Sequence, residues 1–567
     1  MVNGFRGRTV TNGSLELPIL DLSPRSCGTP TGASLLAYLL EDQQQLTAVE
    51  RFAIDHAQER VPVQARYYES LLPATPPGPG QQYAFEVDLD RCSGCKACVT
   101  ACHTLNGLDE HETWRDVGVL TGGTSSNPLL QHVTTACHHC LEPACMIGCP
   151  VDAYTKDPVT GIVKHLDDQC IGCQYCTLAC PYDVPKYHAE KGIVRKCDMC
   201  SSRLAVGEAP ACVQACPHQA IAIRVVDIKQ VIEDCEVSQF LPGAPDPQLT
   251  HPTTLYKTER VFPRNTLPAD YYQTPPQHPH WPLIVMLVLT QLSVGAFTAG
   301  QIASKLLGEA QLTSLLPLHA GMALAFGLLA LAASTLHLGR PQYAFRAFIG
   351  LKHSWLSREI VAFGAFANSA IVYAGVVMFR DHLPEWVVVQ TSLAGWSVVA
   401  TGLVGVFCSV MIYAATRREF WSFDRSLVRF GLTTALLGAA TFWTTVAWSG
   451  GPQALSQQLA LIVIGVATIK LLSEAALYRH LLSPHITTLG RSARLHVGPL
   501  SRVTLGRNLC GVIGGVVFPW LAWSQEATAS SLLVTASLVF LMVGELLERY
   551  LYFAAVSSPR MPGAVRT

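Results

Sequence analysis

The spacing of apolar positions changes along the 567-residue chain and divides it into a polar half and an apolar half near residue 281. In the polar half, apolar residues recur at helical spacing over residues 33–58, which predicts one helix. This helix either packs on its own domain or docks a partner. The proline- and glycine-rich residues 73–80 predict a linker. Residues 1–80 are therefore expected to form a helical extension and linker, and they carry no pattern of a Sec or twin-arginine signal.

From Trp281 onward, long uncharged runs replace the mixed pattern. A helix needs about 20 mainly apolar residues to cross a bilayer. The longest run is broken by Ser449-Gly450-Gly451-Pro452, so it predicts two helices where each of the others predicts one. The runs are residues 281–304, 310–339, 360–379, 386–416, 430–469, 508–525 and 527–544. The sequence therefore predicts an anchor domain over residues 281–560 with eight transmembrane helices.

The loops between these runs are charged asymmetrically. If the helices alternate in direction, sixteen arginine and lysine residues lie on the side of the polar half, and only Lys305 and Arg380 lie opposite. Cytoplasmic loops carry such an excess, so the polar half is expected on the cytoplasmic side of the cell inner membrane. The net charge of −1 argues against a nucleic-acid partner. The charged fraction of 14% is too low for a fully soluble protein.

Sixteen of the 20 cysteines lie between Cys92 and Cys216, in four motifs. The motifs that begin at Cys92 and Cys170 share the spacing C-x2-C-x2-C-x3-C, whereas those that begin at Cys137 and Cys197 contain a longer spacer. The sixteen residues are Cys92, Cys95, Cys98, Cys102, Cys137, Cys140, Cys145, Cys149, Cys170, Cys173, Cys176, Cys180, Cys197, Cys200, Cys212 and Cys216. Four sets of four thiolates match the ligand count of four [4Fe–4S] clusters, and the x2 spacing lets one short loop bind three irons.

Two other uses of these cysteines are disfavoured. Disulfides are rare in the cytoplasm, where this domain is predicted to lie. A structural zinc ion takes two C-x2-C pairs and does not need the third cysteine at the same step in the first and third motifs. The four cysteines outside the motifs are expected to be buried structural thiols. They are Cys27, Cys235, Cys408 and Cys510.

Electron transfer in the apolar half is expected to proceed without a metal chain. Only His319 and His337 lie within or at the ends of predicted spans, and both belong to the second span, so a haem held by two histidines is not expected. Electrons would then have to enter or leave through a lipid-soluble carrier, which means a quinone.

The ends of the second and third predicted helices carry the best candidates for a quinol site. His337 can exchange protons near neutral pH, and Glu359, if partly buried, can accept one. Alternatively, His337, Arg340 and Arg358 are interfacial anchors and Glu359 neutralises Arg358. A further group of charges in the sixth and eighth helices is explained by mutual neutralisation or by a proton path. It comprises Lys470, Glu474, Glu545, Glu548 and Arg549.

The motifs resemble two subunits of one enzyme family. The stretches CSGCKACVTAC, CHHCLEPACMIGCP, CIGCQYCTLACPYDVPKYH and KCDMCSSRLAVGEAPACVQACP resemble the four-cluster ferredoxin subunit of the dimethyl sulfoxide reductase (molybdopterin oxidoreductase) family. HLGRPQYAFRAF and SWLSREI resemble its haem-free membrane anchor. The sequence thus resembles a fusion of the two. The fold implied is multi-domain: an α+β double-ferredoxin-like [4Fe–4S] domain at 81–240 followed by an all-α eight-helix transmembrane bundle. Between them, residues 241–280 are rich in proline and lack strong periodicity, so they are predicted to form an extended linker.

The resemblance also implies which cysteines share a cluster, in two pairs that exchange their fourth ligands. The implied sets are Cys92, Cys95, Cys98 and Cys216 (first set); Cys197, Cys200, Cys212 and Cys102 (second set); Cys137, Cys140, Cys145 and Cys180 (third set); and Cys170, Cys173, Cys176 and Cys149 (fourth set). Because cysteine occupies every position, four [4Fe–4S] clusters are expected.

The function implied is electron transfer in anaerobic respiration. His337 and Glu359 match the residues associated with menaquinol in the family, and Arg340, Ser357 and Arg358 are weaker candidates. Electrons from the menaquinone pool of the bilayer would pass to a separate molybdopterin-containing catalytic subunit, where the terminal substrate is reduced. Two alternatives stay open: the same module running in reverse as a quinone-reducing dehydrogenase subunit, and an ion-translocating redox membrane domain.

Overall fold

The computed structural model describes residues 63–563 apart from 111, 309–311 and 524–526, together with positions 47, 50, 54 and 57. Almost all of the helix predicted over residues 33–58 lies outside the described residues, as does Cys27. Residues from Ala65 onward belong to one compact unit.

The first part of this unit is an α+β domain of short elements, as predicted. Its strands are β1 (Gln81–Asp88), β2 (Asp116–Thr124), β3 (Asn127–Thr135), β4 (Tyr154–Lys156), β5 (Val163–His165), β6 (Lys186–His188), β7 (Ile193–Arg195), β8 (Ile221–Asp227), β9 (Leu255–Lys257) and β10 (Leu267–Pro268). Its helices are α1 (Ala97–Leu105), α2 (Ala144–Ile147), α3 (Tyr175–Ala179), α4 (Ser201–Ala205), α5 (Ala211–Gln214) and α6 (Ile228–Glu236). β1 pairs with antiparallel β8 and parallel β9, and β2 pairs antiparallel with β3 and β10. β4–β5 and β6–β7 form antiparallel pairs.

The first and third cysteine motifs follow the same backbone course into α1 and α3. Gly94 and Gly172 have φ of 74° and 69°, and Lys96 and Gln174 have φ of 62° and 58°. A left-handed residue turns the chain sharply, so each loop curls back before its helix starts. The shared geometry is the structural counterpart of the shared C-x2-C-x2-C spacing.

The proline-rich segment after α6 is extended, as expected, but it is not a free linker. Its strands β9 and β10 join the two sheets. It also pairs with the second motif, because Leu141 N donates to His251 O at 2.9 Å and Glu142 N donates to Thr250 O at 3.2 Å. The residues up to β10 therefore pack as part of the α+β domain.

Eight helices in the described residues are long and apolar enough to cross a membrane, which confirms the prediction. The helices of this part are α7 (Trp281–Leu307), α8 (Leu316–Leu336), α9 (Trp355–Met378), α10 (Glu385–Val388), α11 (Thr391–Ala414), α12 (Phe423–Trp448), α13 (Gln453–Ala475), α14 (Thr488–Val497), α15 (Ser501–Val512), α16 (Phe518–Trp523) and α17 (Ala527–Ala554). One span combines α10 with α11, and another combines α15 with α16 across a π-helical turn at Ile513–Val517. The short α14 lies between spans.

The bundle is built around α7 and α12, whose membrane segments are the most buried of the eight. They cross at Gly295 and Gly438, where a Cβ on Gly295 would lie only 1.9 Å from the backbone oxygen of Thr434. Small residues allow this approach, which is a common means of packing helices in membranes.

Candidate functional site

The structure brings cysteines from different motifs close together. Burial, with the neighbouring Cys212 and Cys200, raises the pKa of the Cys102 thiol to about 12. Each of the four implied sets shows a similar cross-motif effect in addition to the larger effect of burial. The cross-motif neighbours are Cys92 with Cys216, Cys102 with Cys212, Cys145 with Cys180, and Cys173 with Cys149. Cysteines of different implied sets are also neighbours, as Cys98 and Cys212 are, so the assignment of cysteines to the four sets stays a prediction.

The side chains present suit an anionic metal cluster. All sixteen motif cysteines are free thiols, ten of them buried and only Cys95 exposed. Burial disfavours thiolates, so their formation needs nearby positive charge, which iron would supply. Arg115 is buried among them, and its Nη2 has no hydrogen-bond partner in the described part of the protein. Outside the motifs, Cys235 and Cys408 are buried as expected, whereas Cys510 is half-buried.

The third motif lies directly on the membrane bundle. The segment between α8 and α9 forms a 3-10 helix over Pro341–Lys352, and Arg340 N donates to Ile171 O at 3.0 Å. The two backbones touch, since a Cβ on Gly172 would lie 2.9 Å from the Cα of Gly339. The fourth set of cysteines is therefore beside the membrane domain.

The three weaker candidates for the quinol site, Arg340, Ser357 and Arg358, donate hydrogen bonds to backbone oxygens. Arg340 donates from Nη1 to Asp167 O at 3.0 Å, and Ser357 donates from Oγ to Pro150 O at 3.2 Å, so both join the bundle to the α+β domain. Arg358 donates to backbone oxygens of its own loop at 2.6 and 3.2 Å. Among the described contacts it forms no ion pair with Glu359, so the alternative in which Glu359 neutralises Arg358 does not fit the structure.

Glu359 is buried and joins two helices of the bundle. It is 4% exposed, inside α9 one turn from its start. Its Oε1 accepts a hydrogen bond from Ser409 Oγ of α11. His337 directly follows α8, and its Nδ1 is buried without a hydrogen-bond partner among the residues that the structure describes. No hydrogen bond among those residues joins His337 to Glu359.

Two residues that the sequence did not single out connect this region to the third motif. Tyr175, between Cys173 and Cys176, donates from its hydroxyl to Ile412 O of α11 at 2.8 Å. Burial raises the pKa of Tyr175, and the charges of Cys173 and Glu359 add to the increase. Ser409 lies one helical turn before Ile412. An aromatic residue inside a cysteine spacer and a serine inside an apolar span were the signals available.

A cavity of about 270 Å³ opens at the junction of the two domains. Tyr175 and Trp355 line it, together with His353, Thr416 and Arg417. Neither His337 nor Glu359 is among its lining residues.

The second half of the bundle holds a buried ionic cluster made of Lys470, Glu474, Arg507 and Glu545. Lys470 and Glu545 have no exposed surface, and their charged atoms are 3.2 Å apart. Arg507 bridges Glu474 at 2.9 Å and Glu545 at 3.0 Å, and Thr433 donates to Glu545 at 2.7 Å. The predicted mutual neutralisation therefore occurs inside the bundle, and it also involves Arg507.

Two parts of the sequence match models of known families. Residues 129–226 match a 4Fe-4S dicluster domain, and residues 277–555 match a DMSO reductase anchor subunit (DmsC). The protein is 35% identical over 189 residues to the B subunit of anaerobic dimethyl sulfoxide reductase from Haemophilus influenzae, a match that spans 32% of this protein and 91% of that subunit. It is 38% identical over 154 residues to the corresponding B subunit of Escherichia coli K12, a match that spans 26% of this protein and 75% of the relative. It is 37% identical over 172 residues to the hydrogenase-2 operon protein HybA of Escherichia coli O157:H7, where the two shares are 26% and 52%.

Proposed function

Because the protein belongs to the dimethyl sulfoxide reductase family, as its iron–sulfur subunit fused to its membrane anchor, we propose that it oxidises menaquinol and passes the electrons through four [4Fe–4S] clusters to a separate catalytic subunit. It is an electron-transfer iron–sulfur protein with a multi-pass membrane anchor. Relatives that are subunits of dimethyl sulfoxide reductases imply a catalytic partner. The molybdopterin of that partner, the menaquinol and the direction of flow belong to the proposal.

A series of contacts between Glu359 and the third cysteine motif is the main support for the proposal. Glu359 accepts a hydrogen bond from Ser409, and one turn further along α11 the backbone oxygen of Ile412 accepts one from Tyr175. Tyr175 stands between two cysteines of the fourth set. A buried carboxylate in the membrane is therefore joined by two hydrogen bonds and one helical turn to the cysteine loop nearest the bundle. Quinol oxidation releases protons and electrons together, so its site needs a proton acceptor near the first electron acceptor.

The balance of the reaction assigns roles to the side chains. Menaquinol loses two protons and two electrons as its two O–H bonds break and the quinone forms. Glu359 would take one proton, and the unpartnered Nδ1 of His337 would serve the other hydroxyl. Ser409 orients Glu359, while Arg340 and Ser357 hold the α+β domain against the bundle. The bound [4Fe–4S] clusters would supply one-electron carriers, which divide the two-electron oxidation into single steps.

In this proposal the four clusters are bound by the ligand sets that the resemblance implies. No haem takes part in the electron transfer. Both ring nitrogens of His319 are engaged, Nε2 with Ala296 O at 2.8 Å and Nδ1 with Thr445 Oγ1 at 3.2 Å. The positive loops support an inner-membrane location with the α+β domain on the cytoplasmic side.

One observation favours a second candidate, in which electrons run toward the quinone. The protein is 37% identical over 172 residues to HybA, a hydrogenase-2 operon protein. Oxidised clusters mixed with menaquinol, and pre-reduced clusters mixed with menaquinone, separate the two directions by their relative rates. The proposed function expects the first mixture to react faster.

The iron content of the anaerobically purified protein is the first prediction. We expect about 16 iron and 16 sulfide per polypeptide, with little zinc, because every motif position is a cysteine. Metal analysis combined with acid-labile sulfide measures this directly. Stoichiometric zinc would contradict the cluster assignment.

The Tyr175→Phe variant is the second prediction. It removes the hydrogen bond to Ile412 and keeps the ring, so we expect quinol-driven cluster reduction to slow by up to about tenfold, in line with a hydrogen bond of about 0.5–1.5 kcal/mol. Stopped-flow absorbance of the clusters measures the rate. Tyr83→Phe, on β1 and packed against a different core cluster from that of Tyr175, is the matched control and should react as the wild type does. Equal rates in all three proteins would show that Tyr175 is only a packing residue.

A further inference from the structure

Two cations are buried among the cysteine motifs without acidic partners. Lys196 is 3% exposed and Arg115 is 2% exposed. Buried charges are normally paired, since a lone charge in the interior is costly. In the described part of the protein, neither residue forms an ion pair with a carboxylate. Their counter-charge must come from something else nearby.

Lys196 lies at the junction of two ligand sets. Its Nζ donates to Val163 O, donates to Cys197 O at 2.8 Å, and lies 3.6 Å from the Sγ of Cys137. Cys137 belongs to the third set and Cys197 to the second. One ammonium group thus touches a ligand residue of each.

Arg115 has the equivalent place between the first and second sets. Its Nη1 donates to Thr134 Oγ1 at 3.1 Å, and that hydroxyl is 3.6 Å from the Sγ of Cys98 in the first set. Its guanidinium group also lies over the ring of Phe85, at 4.6 Å from the ring centroid, and Phe85 belongs to the same buried cluster of side chains as Cys98 and Cys212. Cys212 belongs to the second set.

The junction between the third and fourth sets is different. The residue there is Tyr154, 6% exposed, whose hydroxyl has no hydrogen-bond partner among the described residues. Cys176 of the fourth set and Cys145 of the third set belong to the same buried cluster of side chains as Tyr154. An uncharged side chain therefore takes the place that a cation takes at the other two junctions.

We propose that Lys196 and Arg115 are positioning charges that raise the reduction potentials of the clusters on either side of them. A cluster that gains an electron becomes more negative by one charge, and a fixed cation nearby stabilises that reduced form. Lys196 acts on the third and second sets, and Arg115 acts on the second and first. Neither of these two cations adjoins the fourth set, which lies beside the membrane domain. The inference rests on the proposed ligand sets and does not depend on menaquinol being the donor.

The test is a redox titration of the full-length, cluster-loaded protein, followed by electron paramagnetic resonance. Lys196→Gln keeps a hydrogen-bond donor and removes the charge. We expect the reduction potentials of two of the four clusters to fall. At a fixed applied potential, the ratio of reduced to oxidised cluster should decrease at least tenfold, which corresponds to about 59 mV for a one-electron couple. Arg115→Gln should also lower the reduction potentials of two clusters. A single cluster should be common to both pairs, because only the second set adjoins both residues.

Two control variants separate the effect of charge from an effect on structure. Lys196→Arg keeps the charge and should retain the wild-type potentials. Lys156 donates to the backbone oxygens of Cys140 and Leu141 at 3.1 and 3.0 Å, so Lys156→Gln can affect the third set but should leave the second unchanged. Full iron content with unchanged potentials in both glutamine variants would overturn the proposal. So would loss of the clusters in both, because the charges would then serve assembly.

If one glutamine variant alone loses its clusters, the other still decides the question. A shift of two potentials in the loaded variant supports the proposal, and no shift overturns it. This outcome is independent of the quinol assay, so the proposed function can fail while the tuning role stands.

Discussion

We expect the Glu359→Gln variant to reduce its clusters with a menaquinol analogue at least about 100-fold more slowly than the wild-type protein, because general-base catalysis contributes about 10²–10⁴-fold. The amide keeps the size and a hydrogen bond to Ser409 but cannot take the proton. Dithionite, which needs no proton acceptor in the membrane, should still reduce the clusters fully. Stopped-flow absorbance with each reductant measures both rates.

Matched variants make this result specific. Glu385→Gln removes an exposed carboxylate at the start of α10 and should leave the quinol rate unchanged. Ser409→Ala should give a smaller loss than Glu359→Gln, since it only releases the carboxylate from its orienting partner. His337→Gln tests the second proton acceptor in the same assay. Normal quinol turnover in both the Glu359 and His337 variants would remove this region from consideration.

Among single substitutions in the bundle, Lys470→Met should lower the free energy of unfolding the most. It leaves Glu545 completely buried with one cationic partner fewer, and breaking a buried ion pair costs about 3–5 kcal/mol. The free energy of unfolding in mixed micelles measures the loss. Lys352→Met, which removes an exposed lysine, is the control and should change little.

A double variant tests the physical reason. Lys470→Met combined with Glu545→Gln removes both charges, and neutral replacement of a buried pair is often tolerated. It should recover most of the stability that the single variant loses. A double variant as unstable as Lys470→Met would mean that packing, rather than unpaired charge, explains the effect.

The sequence predicted the elements whose signal is local. The cysteine spacings identify the motif loops because each loop must surround its ligand within a few residues. The eight spans follow from composition alone. Their ends were less predictable, since the seventh span begins at Ser501 and contains Arg507, whereas the uncharged run begins only at 508. Arg507 can lie in a span because Glu474 and Glu545 pair with it, a contact made between helices distant in sequence.

Contacts between residues distant in sequence were also not predictable in the region around Glu359. Burial of Glu359 could be expected from its place in an apolar run, but its partner Ser409 lies 50 residues away. Arg340 and Ser357 lie near the predicted site, yet their atoms bind backbone oxygens of the α+β domain. Periodicity reports which residues are buried and cannot show how two domains dock. Tyr175 was missed for that reason.

The most direct test of the account is anaerobic mixing of the wild-type protein, in liposomes, with a menaquinol analogue as sole reductant. The account predicts paramagnetic signals of reduced, mutually coupled [4Fe–4S] clusters, with two electrons taken up for each quinol consumed and no cytochrome bands in the optical spectrum. Clusters that dithionite reduces but quinol leaves oxidised, or an optical spectrum that shows haem, would contradict it.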